Sequence, residues 1–156
     1  LRMNDASIFL AYCHINFDKE ILSYFPLKYT INTSSKLLHF FNNKYKNEYN
    51  LIGRYENDKY YNGHVWIICS LALAQVYIRL YQDRNIMKSD RPMHKSVSNP
   101  NNNFIDIANE ILEWVLTLDP NLILSEQYDP KSLKSLSADK LTWNYSELYK
   151  LYKLLN

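Results

Sequence analysis

The sequence predicts an all-α domain, and three observations carry that prediction. Apolar residues recur at the helical period in well-separated stretches, long connections join alternate pairs of these stretches, and no segment alternates polar and apolar residues as a half-buried strand does. No short-period repeat interrupts the pattern.

In chain order, residues 6–15 read as a short buried helix, with a strand as the competing assignment at this length. Asp18–Phe25 supports a helical turn or two, stopped by Pro26. Thr33 or Ser34 caps a helix running to about Asn47, with Leu37, Leu38, Phe41 and Tyr45 on one face. A further helix spans about His64 to Gln82, and its apolar face is wide enough to be buried on most sides. Arg84–Asn103, with Pro92, Pro100 and several asparagines, reads as an exposed connection. A helix follows from about Asn103 to Leu118, with Phe104, Ile107, Ile111, Val115 and Leu118 at helical spacing and Asp119-Pro120 as its stop. Asn121–Leu141 is a long loop, and the last helix runs from Thr142 to Leu155 with Tyr145, Leu148, Tyr152 and Leu155 on one side.

Bulk composition narrows the function classes. The 156 residues form one domain at most, or part of a larger one, and 47% hydrophobic content supports a real core. Net charge is only +2 and no basic block exists, so nothing asks for nucleic acid. Val65–Tyr81 is too short and too interrupted by Ser70, Gln75 and Arg79 to span a membrane. His14 and His39 lie in helical patterns, and no His/Cys/Asp/Glu group has metal spacing, so neither metal nor cofactor is expected. Cys69 reads as a buried free thiol; a Cys13–Cys69 bridge stays open, with nothing in the sequence requiring it. Sequons stand at Asn32 and Asn144.

Both glycines of the chain fall ten positions apart in Gly53-Arg54-Tyr55-Glu56-Asn57-Asp58-Lys59-Tyr60-Tyr61-Asn62-Gly63-His64-Val65-Trp66. Glycine is the residue that adopts positive φ without steric cost, so both are expected to serve special backbone conformations. Arg and Asp hydrogen-bond hydroxyls and flat rings stack on sugar faces, so this loop suits a polyhydroxylated ligand. By chemistry alone, a turn and helix cap with tyrosines packing its edge is the plainer reading. Glu126, taken alone, reads as a solvated charge.

Gly-Arg-Tyr-x-x-Asp-x-Tyr-Tyr-Asn-Gly-x-x-Trp nevertheless resembles the signature loop of fungal glucoamylases, glycoside hydrolase family 15. So does Leu124-Ser125-Glu126-Gln127-Tyr128-Asp129, followed by Leu136–Tyr145. The two motifs stand in the family's order, and the clear resemblance covers roughly residues 50–155. It implies an (α/α)6 barrel, two concentric rings of six helices. Residues 1–156 would be a partial catalytic domain, the last third to half of the barrel, with no separate starch-binding module. The implied partners are an α-glucan or malto-oligosaccharide substrate and the missing N-terminal half of the barrel. The implied activity is inverting hydrolysis of terminal α-1,4-linked glucose. Inversion uses two carboxyl groups roughly 6.5–9.5 Å apart, an acid at the leaving oxygen and a base on water.

Residue by residue, Glu126 matches the family's general base. Arg54 matches the arginine that hydrogen-bonds the terminal glucose, and Tyr55, Asp58, Tyr60 and Trp66 match positions lining the same pocket. His64-Val65 departs from the Asn-Pro common before the Trp in fungal relatives. The family's general acid lies in a Trp-Glu-Glu segment that nothing here matches, so the isolated chain is expected to be inactive. The chain begins Leu-Arg-Met-Asn, with neither an initiator Met nor a leader, and reads as a sequence entered midway. The destination expected for the complete protein is secretion or the vacuole. Two other readings stand beside the enzyme: a truncated, inactive remnant with at most weak glucan binding, and an α-helical interaction module unrelated to sugar.

Overall fold

Helix α3 (Ile67–Gln82) is the hub on which three of the other described helices pack, in a computed structural model that describes residues 4–15, 20, 27–46, 49–82 and 100–156. Before it come α1 (Ser7–His14), α2 (Leu27–Tyr45), a 3-10 turn (Tyr60–Gly63) and strand β1 (Val65–Trp66). After it come α4 (Pro100–Thr117), strands β2 (Ser125–Tyr128) and β3 (Ser135–Asp139), and α5 (Thr142–Leu155). Helix α3 touches α1, α4 and α5. It is buried almost all round, as its wide apolar face predicts, with Ile67, Leu71, Leu73, Ile78 and Leu80 sealed from solvent. Each such side chain contributes about 1.5–3 kcal/mol of burial.

The remaining helices bury stripes. In α2, Thr30, Leu37, Phe41 and Tyr45 follow the helical spacing. Its start lies upstream of the expected cap: Leu27 opens the helix, which runs through Thr33 and Ser34. The Ser34 hydroxyl donates back to the Ile31 carbonyl (2.8 Å), so it serves the helix interior rather than an end. Helix α1 confirms a helix over the competing strand. Helix α4 begins at Pro100, not Asn103, which suits proline's missing N–H at a first turn. Its Trp114 is buried beside Ile107, Ile111 and Val115. The expected turn at 18–25 lies largely outside the described residues, and residues 84–99 of the expected connection lie outside them.

Helix α5 has the expected bounds but a different inner face. Asn144, Glu147, Leu148 and Leu151 are buried, whereas Tyr152 is 53% exposed. Two polar residues occupy core positions because each has a partner there. Gln75 of α3 donates to the Glu147 carboxylate (2.8 Å), to which Lys150 adds an ion pair (2.7 Å), and Asn144 donates to the Ser125 carbonyl (3.0 Å). A sealed Asn144 closes that sequon in the folded chain, while Asn32 is exposed on α2. Cys13 and Cys69 are both free thiols, and burial pushes each up to about 12. Among the described residues no helix is long and apolar enough to cross a membrane.

A three-stranded antiparallel sheet, ordered β1-β2-β3, was not expected from the sequence. Its register pairs Val65 with Tyr128 and Trp66 with Gln127, and on the other side Gln127 with Leu136 and Tyr128 with Ser135. The two long motifs therefore meet side by side, as strands rather than facing loops.

Candidate active site

The loop between α2 and α3 builds a cage around one guanidinium. Arg54 donates twice to the Asp58 carboxylate, from Nε (2.7 Å) and from a terminal nitrogen (2.9 Å), a fork only arginine offers. Its guanidinium carbon lies 4.5 Å from the Trp66 ring centroid, 5.1 Å from Tyr60 and 5.3 Å from Tyr55. All five residues that the sequence assigned to the pocket wall thus converge on one point. Asp58 is 5% exposed and also accepts the Tyr60 backbone N–H (3.0 Å), so its carboxylate holds the arginine in place while Arg54, a third exposed, faces outward. Burial alone pushes the Asp58 carboxyl up, but the hydrogen bonds from Arg54 and Tyr60 outweigh it and hold Asp58 below its ordinary range. The same pairing holds Arg54 up.

The backbone of this loop needs its glycines for two different reasons. Gly63 has φ +62°, and a Cβ there would sit 2.5 Å from the Asp58 carbonyl oxygen. Gly53 is not left-handed; it is small because a Cβ would meet the Phe41 ring at 2.6 Å and the His64 carbonyl at 2.7 Å. Gly63→Ala is expected to lower stability by about 1–3 kcal/mol through strain and clash together. Calorimetric melting of the variant checks this, and an unchanged Tm would contradict the close approach to Asp58.

Glu126 is buried in β2, at a register irregularity between Ser125 and Gln127. The extra residue lies on β3, between Leu136 and Asp139, so the bulge re-aims the Ser137 and Ala138 side chains opposite Glu126. The residue before it is pinned on every polar group. The Ser125 N–H donates to the Tyr128 hydroxyl (3.0 Å), its carbonyl accepts from Asn144 (3.0 Å), and its hydroxyl donates to Asp139. Tyr128 in turn packs edge-on against Trp114 of α4, ring centroids 5.7 Å apart. Asp129 builds the hairpin turn: its carboxylate accepts the Lys131 N–H (2.8 Å) and its carbonyl accepts the Leu133 N–H (3.0 Å).

Ser137, which sequence reasoning missed, joins the two motifs. Its hydroxyl donates to Glu126 Oε2 (2.5 Å), and the Tyr60 hydroxyl lies 3.1 Å from the same oxygen of Ser137. Ser137 has φ +67°, an unusual value that turns its side chain within β3. The only sequence signal was its place in Leu136–Tyr145. Among the described residues no three His, Cys, Asp or Glu side chains are grouped to hold a metal. The arrangement offers a fixed carboxylate able to take a proton, next to a donor-rich cage ringed by aromatic faces. Ser137→Ala is expected to lower stability by about 1–3 kcal/mol, because the buried Glu126 carboxylate loses a charge-assisted hydrogen bond. A thermal melt checks this, and an unchanged Tm would contradict that contact.

Over residues 7–153 the chain matches the family model for glycosyl hydrolases family 15. Among solved structures it is similar to a glucoamylase from Saccharomycopsis fibuligera, with a TM-score of 0.63 and 21% sequence identity; the match covers 81% of this chain and 35% of that one. The chain thus spans about a third of that glucoamylase, and its helices are part of an (α/α)6 barrel, the architecture expected.

Proposed function

The chain belongs to glycosyl hydrolases family 15, and from that premise we propose that it carries the base-bearing part of a glucan 1,4-α-glucosidase. The natural polypeptide releases terminal glucose from starch- or glycogen-type α-1,4 glucan with inversion. Glu126 is the general base that activates water, Arg54 holds hydroxyls of the terminal glucose, and Tyr55, Tyr60 and Trp66 wall the pocket with Asp58 behind the arginine. The observation that carries this reading is the sheet register, which sets Glu126 and its Ser137 donor next to the Arg54 cage.

The general acid belongs to barrel residues outside this sequence. Base and acid together then straddle the scissile bond at the separation inversion requires. Proton magnetic resonance of the first product, with maltose or soluble starch and the natural polypeptide, tests the reading. β-Glucose supports it; α-glucose, or no glucose, overturns it.

A second reading rests on the Arg54 cage alone. On that reading the chain binds glucan weakly through the cage and does no catalysis. Calorimetry of the isolated chain with an acarbose-like sugar, repeated with Arg54→Ala, distinguishes the two. A natural polypeptide far larger than 18.6 kDa on an immunoblot argues for the enzyme.

A further inference from the structure

Three consecutive residues, Tyr61 (φ 44°), Asn62 (φ 59°) and Gly63 (φ 62°), take the left-handed conformation immediately after Tyr60. Only the last is a glycine. For Tyr61 and Asn62 this backbone is unfavourable, and such a turn persists only where its surroundings over-determine it. The turn points two carbonyls toward the C-terminal end of α2, where three hydrogen bonds meet them. Lys44 Nζ donates to the Asn62 carbonyl (2.7 Å) and to the Gly63 carbonyl (3.0 Å). The Tyr45 hydroxyl donates to the Gly63 carbonyl as well (2.9 Å). Tyr45 is itself fixed, stacked between Phe41 (centroids 6.2 Å apart) and His64 (5.3 Å). The Lys44 ammonium lies 4.8 Å from the Tyr45 ring centroid, so each donor steadies the other.

The turn leads back to the carboxylate through hydroxyls. Ser137 has one hydroxyl hydrogen, and it is spent on Glu126 Oε2. Tyr60 must therefore be the donor in its 3.1 Å contact with Ser137. The order is fixed: Tyr60 to Ser137 to Glu126. We propose that Lys44 and Tyr45 are positioning residues for Glu126, acting through the left-handed turn that holds the Tyr60 hydroxyl against Ser137. Both act on backbone carbonyls of the turn. This inference rests on the reading of Glu126 as the base.

The test is a cycle between the clamp and the relay in the natural polypeptide. Lys44→Met with Tyr45→Phe keeps the stem and the ring but removes all three hydrogen bonds. It is expected to lower kcat on maltose about fivefold, the loss of one neutral hydrogen bond, with little change in KM. In a Tyr60→Phe background, where the relay is already cut, the same pair is expected to cost no further kcat. Equal losses in both backgrounds, or a parental kcat in the clamp variant, overturn the proposal. Amide hydrogen exchange gives a readout that needs no activity: protection at Lys59–His64 should fall in the clamp variant while that of α3 is kept. Unchanged exchange at those amides also overturns the clamp. A parent that releases no glucose instead overturns the assignment of the base, and exchange then decides the clamp by itself.

Discussion

With Glu126 as the proposed base, Glu126→Gln in the natural polypeptide is expected to lower kcat for glucose release by on the order of 10²–10⁴-fold, the contribution typical of a positioned acid–base group. The substitution is chosen because it removes the proton-accepting oxygen and little else. Glutamine has the same length and keeps a carbonyl oxygen that accepts the Ser137 hydroxyl. The strand around it does not depend on the charge: Ser125 is held by Tyr128, Asn144 and Asp139, and the Trp66–Gln127 pairing fixes its register. Tm should therefore move little, while KM stays within a few-fold because Arg54 and the rings around it are untouched. Burst and single-turnover measurements separate the chemical step from product release. A parental kcat with a parental melt would remove Glu126 from the role and leave the pocket without a base.

The sequence carried the helices and both motifs, because long helical stripes and long ordered patterns are strong signals. It did not carry the sheet. Strand β2 has four residues, all buried, and β3 is mostly exposed, so neither shows the alternation that marks a strand. Strand β2 buries the polar Ser125, Glu126 and Gln127, and the partners of Ser125, Asn144 and Asp139, lie more than ten positions downstream. No local pattern announces partners at that distance. Helix α5 failed in the same way: its face is turned by Asn144 and Glu147, which are buried only because Ser125 and Gln75 await them.

Of the two glycines expected to serve special backbone conformations, only Gly63 has positive φ, and nine described non-glycine residues adopt it too, Asn57, Tyr61, Asn62 and Ser137 among them. Gly53 is there for space instead. A chain poor in glycine places left-handed backbone on other residues and must restrain them from outside, as Lys44 and Tyr45 do for Tyr61–Gly63.

Arg54→Ala is expected to lower kcat/KM by about 10²–10³-fold, the loss of one or two charge-assisted hydrogen bonds to sugar hydroxyls. Unlike the change at Glu126, it also reaches the fold. Asp58 is buried and its two oxygens receive the guanidinium fork. Without Arg54 the carboxylate keeps the Tyr60 N–H and the Tyr55 side chain but loses its cation, and a buried charge is left under-compensated. Because Arg54 is a third exposed and solvent screens its charge, the stability loss at neutral pH is set at about 1–3 kcal/mol rather than the larger figure for a fully buried pair. The sign of the pH dependence follows from the same contacts. In the parent, Asp58 is held below its unfolded value, so its contribution is complete above the ordinary carboxylate range and is lost as pH falls through the lower folded value. In Arg54→Ala the burial that pushes Asp58 up loses its main opponent. Acid unfolding, followed by circular dichroism, should then begin at higher pH than in the parent. Arg54→Lys separates the two roles: it restores charge next to Asp58 but not the fork. Stability should recover in part while kcat/KM stays low. Recovery of both would mean that charge alone suffices, and that the paired geometry of the guanidinium has no part in holding the sugar.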